Sequence, residues 1–191
     1  MDAMQAIWER RSIRKFADRP LARELIETVL EAAIRAPSGK NAQPWRFVVL
    51  QGKEKDRLVD ILEAGVNALQ AKGLATGSAL PTAHIMRQAP VAILVYNPRQ
   101  QAGGDRNGTN RYMHLVDTQS IGAAVQNLLL AATGLGLGSL WICDVFYADD
   151  AIGARWGRQD ELVCAVSLGY PAETPQARPR KPVADITTWL E

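Results

Sequence analysis

Two runs in this chain, residues 46–50 (Arg-Phe-Val-Val-Leu) and 91–96 (Val-Ala-Ile-Leu-Val-Tyr), are apolar with almost no interruption. A strand with one wet face alternates apolar and polar residues, whereas an unbroken run suits a strand covered on both faces. The remaining chain must then supply helices for either side of a sheet. Leu25, Ile26, Val29, Leu30, Ala33 and Ile34 recur at helical spacing after Pro20 and before Pro37, which predicts an amphipathic helix from about residue 22. Leu58, Ile61, Leu62 and Leu69 predict another after Gly52. Residues 117–133 are apolar nearly all round with small side chains interleaved, which predicts a helix buried on most sides and able to meet a second helix at a subunit interface. A short helix over residues 2–9 and strands over 139–143 and 162–168 complete the pattern. Residues 73–79 read as a loop or frayed helix, 97–110 as a surface loop, and the Pro-rich tail from residue 169 as irregular chain closing at 185–190. The expectation is one α+β domain over residues 1–191, with helices flanking a mixed or mostly antiparallel sheet.

Composition removes several function classes. The 191 residues carry 22 Lys and Arg against 20 Asp and Glu, a net +2, and 47% are hydrophobic. That balance excludes disorder as the main state and argues against a nucleic-acid or membrane partner held by bulk charge. Two cysteines, Cys143 and Cys164, and two histidines, His84 and His114, are too few for a disulfide scaffold or a Cys- or His-based metal site. The start has no basic n-region and no run is long enough to cross a bilayer, so a cytoplasmic location is expected.

The glycines of Gly134-Leu135-Gly136-Leu137-Gly138 follow a helix and precede a strand, the reverse of a dinucleotide-binding loop, and read as a helix C-cap and turn. Arg10, Arg11, Ser12 and Arg14 place three guanidiniums and a hydroxyl within five residues, and Arg178, Arg180 and Lys181 form a second basic cluster near the other end. Such groups bind phosphate through paired, charge-assisted hydrogen bonds, or simply face solvent. With Lys15 and Arg19 they hold eight of the 22 cations near the two ends, so a small net charge can conceal a local anion site if those ends converge. The loop Pro37-Ser38-Gly39-Lys40-Asn41-Ala42-Gln43-Pro44-Trp45 combines turn formers with side-chain amides able to read a planar heterocycle, or is a connection whose Trp45 plugs the core. No Gly-x-Ser-x-Gly elbow, Walker A loop or His-Glu-x-x-His is present, and both cysteines fall in apolar strand segments that suit inert residues. His84 and His114 read as surface residues near loops. A chain so short of reactive groups points to a cofactor for its chemistry.

Together, Glu9-Arg10-Arg11-Ser12-Ile13-Arg14-Lys15-Phe16, Ala36 through Phe47, Gln126 through Trp141, and Gly169-Tyr170-Pro171 with Arg178-Pro179-Arg180-Lys181-Pro182 resemble, in order and over nearly the whole chain, the nitroreductase family of flavin enzymes. The resemblance implies an intertwined α+β homodimer with FMN in each of two interfacial clefts. It assigns Arg10, Arg11, Ser12 and Arg14 to one FMN-binding segment, with Arg10, Arg178 and Arg180 on the phosphate and Arg14 toward the pyrimidine end. Pro37, Ser38, Gly39 and Asn41 would reach the same flavin from the other subunit, and Ser120 (or Gln119) would add a contact. Ile142, Cys143 and Asp144 would lie under the ring, the Cys143 backbone N–H pointing at N5. No side-chain catalytic residue is implied. The implied activity is ping-pong hydride transfer from NADH or NADPH to electron-poor acceptors such as nitroaromatics or quinones, with segments 65–86 and 97–112 covering the cleft. A non-catalytic flavin-binding or sensor protein, or specialised chemistry such as dehydrogenation, reductive dehalogenation or flavin fragmentation, fits the same flavin-binding residues.

Overall fold

A computed structural model describes residues 1–104 and 108–190. Strands β1 (Arg46–Gln51), β2 (Val91–Gln101), β3 (Gly138–Ile142) and β4 (Asp160–Gly169) form one sheet in the order β1-β2-β4-β3, with every pairing antiparallel. Parallel pairing among the described residues is confined to an isolated bridge between Ser12 and Ser139. The helices are α1 (Ala3–Glu9), α2 (Arg23–Ala33), α3 (Gly52–Ala71), α4 (Ala79–Gln88), α5 (Gly108–Gly134) and α6 (Asp149–Arg155).

The sheet is covered on both sides, as its unbroken apolar strands require. Val91, Ile93 and Val95, with Cys164, Val166 and Leu168 opposite them, pack against Ile26 and Val29 of α2 and Ile121, Val125 and Leu128 of α5. The alternate residues Ala92, Leu94, Tyr96 and Ala165 pack against Leu58 and Leu62 of α3, Met86 of α4 and Ile152 of α6. Burying each such Leu or Ile contributes roughly 1.5–3 kcal/mol, so the two-faced core is the main source of stability. Trp45 is buried in the first of these layers.

Several boundaries differ from the sequence reading. Helix α4 occupies the end of segment 65–86 and one face of it joins the core: Ala79, Thr82, Ala83 and Met86 are buried at i, i+3, i+4 and i+7. Pro81 masks it in sequence, yet a proline in the first helical turn forfeits only an N–H that has no helical partner. β2 continues five residues beyond Tyr96, through a register irregularity between Asn97 and Gln101, and α5 begins at Gly108, so the expected loop 97–110 is partly strand and partly helix. Its residues 105–107 lie outside the described residues. β3 ends at Ile142, which leaves Cys143 beyond the strand and exposed, whereas Cys164 is buried. The glycine-rich stretch closes α5: Leu137 N–H bonds the Ala132 carbonyl at 2.8 Å and Gly136 has φ 72°.

Both chain ends are drawn to the β3 edge of the sheet. Ile13 N–H donates to the Ser139 carbonyl at 3.0 Å, and Gly138 lets the segment pack closely, since a Cβ there would lie a tight 3.0 Å from Ile13 side-chain carbons. The chain leaving β4 then runs beside this segment, with Ala17 N–H on the Tyr170 carbonyl and Ala172 N–H on the Lys15 carbonyl, each 2.9 Å. Arg19 stacks on Tyr170, 3.8 Å from the ring centre.

Candidate functional site

This bracing brings the two basic clusters to one cleft of about 400 Å³, lined by Arg10, Arg11, Ser12 and Arg14 from one end and Arg178 and Arg180 from the other. Ile7 and Trp8 of α1 also line it. Sequence reasoning passed over them, although an aromatic two residues before an arginine cluster was a visible signal. The arginines do not play equal parts. Arg11 donates to the carbonyls of Trp8 at 2.6 Å and Arg10 at 2.9 Å, so it closes the end of α1. Arg14 reaches the Ser12 carbonyl at 3.2 Å, and Arg180 lies 3.5 and 3.4 Å from the Arg178 and Pro179 carbonyls. The Arg10 guanidinium has no protein hydrogen-bond partner among the described residues. No carboxylate among them lies within 4.0 Å of any of these five guanidiniums.

Burial lowers the pKa of Arg10, and the positive charges of Arg180 and then Arg11 lower it further. Loss of water and like-charge repulsion both raise the cost of that cation, and an anion in the cleft would relieve both. A guanidinium cluster of this kind matches phosphate, which accepts several charge-assisted hydrogen bonds at once.

The other residues singled out in the sequence stand elsewhere. Ile142 is buried at the end of β3, Cys143 is exposed just beyond it, and Asp144 opens a 3-10 turn, Asp144–Ala148. Ser139 pairs with the N-terminal segment and Cys143 lies four residues further on, about 13 Å at the rise of a strand. Desolvation first, and the Asp144 charge second, push the Cys143 thiol up, which disfavours its thiolate form. Asp144 accepts a 3.4 Å hydrogen bond from Ser78 in the loop before α4.

Pro37, Ser38, Gly39 and Asn41 do not line the arginine cleft of their own protomer. Their loop is held in a strained form, with Lys40, Asn41 and Gln43 at φ 53°, 54° and 48°. Non-glycine residues in the left-handed region are uncommon and persist only where surrounding structure enforces them. The enforcing contacts are visible: Gln43 N–H donates to Ser38 Oγ at 3.0 Å, and Gly39 N–H approaches Ser120 Oγ at 3.4 Å. A Cβ on Gly39 would sit 2.4 Å from Val116, so α5 and the loop touch through this glycine. Ser120 is buried and also donates to the Val116 carbonyl at 2.7 Å, so it braces the loop from inside. His84 is exposed on α4, and His114 bonds Glu161 at 2.8 Å. Among the described residues no cluster of side chains could hold a metal ion, and no helix is long and apolar enough to cross a membrane.

Comparison with known proteins agrees on one family. The model of the nitroreductase family matches residues 7–170. A Methanothermobacter thermautotrophicus protein named as an NADH dehydrogenase/NAD(P)H nitroreductase is 33% identical over 186 residues, covering 93% of this chain and 82% of that protein. A Desulfovibrio desulfuricans nitroreductase solved in complex with FMN is 31% identical with a TM-score of 0.78, covering 100% of this chain and 98% of that one. A nitroreductase-like protein from Bacillus cereus, 24% identical over 100% of this chain and 97% of its own, shares the fold with a TM-score of 0.80.

Proposed function

This chain belongs to the nitroreductase family, and we propose that it is an FMN-dependent oxidoreductase that takes reducing equivalents from NADH or NADPH. The observation that carries this reading is the half-buried Arg10, which shares its cleft with Arg180 and pairs with no carboxylate among the described residues. These residues fit the phosphate of FMN. Arg10, Arg178 and Arg180 would hold that group, Ser12 would add a hydroxyl, and Arg14 would extend the positive charge along the ring's path. Bound there, FMN supplies hydride transfer, which this chain's own side chains cannot. Past the end of β3, the Cys143 backbone would face the ring system, with Ile142 filling the core beneath it. The raised thiol pKa disfavours the Cys143 thiolate.

The strained loop at 37–41 is absent from its own protomer's cleft, so its proposed role is in a homodimer, where Pro37, Ser38, Gly39 and Asn41 would complete the partner's site. Large apolar side chains left in water support such a dimer: Trp8 is 70% exposed, and Trp189 and Leu190 in the tail are 79% and 93% exposed. Electron-poor acceptors, nitroaromatics and quinones among them, would follow NAD(P)H into the same cleft. The test is an anaerobic titration. Purified protein is expected to be yellow, to bleach with NADH or NADPH, and to recover its colour on addition of a quinone or nitroaromatic. Protein that retains FMN yet does not bleach would instead be a flavin-binding module, and protein that cannot be loaded with FMN would lack the site altogether.

A further inference from the structure

The tail residues Arg178 and Arg180 reach the cleft at the end of a weakly anchored segment. Past Ala172, whose N–H bonds Lys15, no backbone hydrogen bond among the described residues ties the tail to the rest of the chain before the local turn at 182–186. One side chain makes the connection instead. The Glu173 carboxylate accepts hydrogen bonds from the backbone N–H groups of Arg14 and Lys15, the latter at 3.1 Å. Glu173 therefore grips the N-terminal segment just where the tail enters the cleft, since Pro175, Gln176 and Ala177 already line it. Arg178 and Arg180 lie five and seven residues beyond that grip.

The choice of residue carries a conflict of sign. A carboxylate beside a cluster of arginines lowers its positive potential, which weakens anion binding. Yet Glu173 forms no ion pair with any of those arginines, and its oxygen is directed at backbone N–H groups. We infer that Glu173 is a positioning residue for phosphate recognition: it holds the tail against the N-terminal segment so that Arg10 and Arg180 face a single anion. This assignment rests on the flavin site proposed above.

Riboflavin and FMN differ only by the phosphate, so the ratio of their affinities isolates that group. Glu173→Ala removes the tie, and the FMN-to-riboflavin affinity ratio is expected to fall about tenfold, the scale of one or two lost hydrogen bonds to a charged acceptor. Glu173→Gln keeps an acceptor oxygen while removing the charge, and its ratio is expected to equal or exceed that of the unmodified protein. In flavin-free protein, amide hydrogen exchange at Arg14 and Lys15 is expected to quicken in the alanine variant only. A variant that was merely less stable would weaken both flavins alike and leave the ratio unchanged, and that result overturns the assignment. Equal falls in the alanine and glutamine variants, or unaltered exchange at both amides, overturn it too. Unmodified protein that binds neither flavin removes the proposed function and this assignment with it. If it binds both, a constant ratio removes the assignment alone.

Discussion

Two arginines, Arg10 and Arg87, show opposite uses of one side chain. Arg87 on α4 meets Asp60 at 2.8 Å and Glu63 at 2.9 Å, both on α3, and its pKa is raised, chiefly by the hydrogen bond to Asp60. Arg10 is half-buried among other cations, pairs with no carboxylate among the described residues, and its pKa is lowered. The first brings its own anions and joins two helices. The second lies where the chain has gathered positive charge, and no described carboxylate pairs with its guanidinium. A cation that the fold leaves uncompensated is better evidence of a ligand than a cation count, because isolated burial of charge is costly.

The largest effect that would break this comparison is at Arg10 itself. Arg10→Ala is expected to weaken FMN binding about 100-fold or more, the scale of losing charge-assisted bonds to phosphate. The flavin-free protein should melt at an unchanged or slightly higher temperature, because like-charge repulsion is relieved. Equal losses of flavin affinity and folding would instead make Arg10 a structural residue like Arg87. A smaller effect comes from giving the cleft the internal anion that Arg87 already has. Ala177→Asp, at an exposed position on the cleft wall, is expected to reduce FMN affinity about tenfold and riboflavin affinity far less, measured by flavin fluorescence titration. Undiminished FMN binding in that variant would place the phosphate elsewhere. The smallest effect is at Arg87, whose pairs are partly exposed. Arg87→Ala is expected to leave FMN affinity intact and to cost no more than about 1 kcal/mol in denaturant unfolding. A changed flavin affinity there would show that the two roles are not separate.

The layered fold was largely legible because hydrophobic period reports burial directly. The unbroken run at 91–96 implied cover on both faces, and the helices at α2, α3 and α5 supplied it. Helix α4 was missed because its buried face is made mainly of Ala, Thr and Met, with a proline in its first turn. The outer part of β2 was missed because Asn97, Pro98, Arg99 and Gln101 carry the signals of a turn. Of the site, residue types were readable and relations were not. Arg11 looks like Arg10 in sequence, but its guanidinium is committed to the end of α1. Ser120 looks like a hydroxyl available to a ligand, but it is buried under the loop that begins at Pro37.

The amino-acid sequence by itself determined that this is an α+β chain of the nitroreductase family with cations concentrated near its two ends. Periodicity and ordered local segments are properties of neighbours along the chain, so they survive without coordinates. The meeting of those ends on the β3 edge, the lack of an ion-pair partner for Arg10 among the described residues, and the grip of Glu173 on Arg14 and Lys15 were decided only in the tertiary structure. Each depends on groups far apart in sequence, and whether a charge is neutralised is a matter of distance in space.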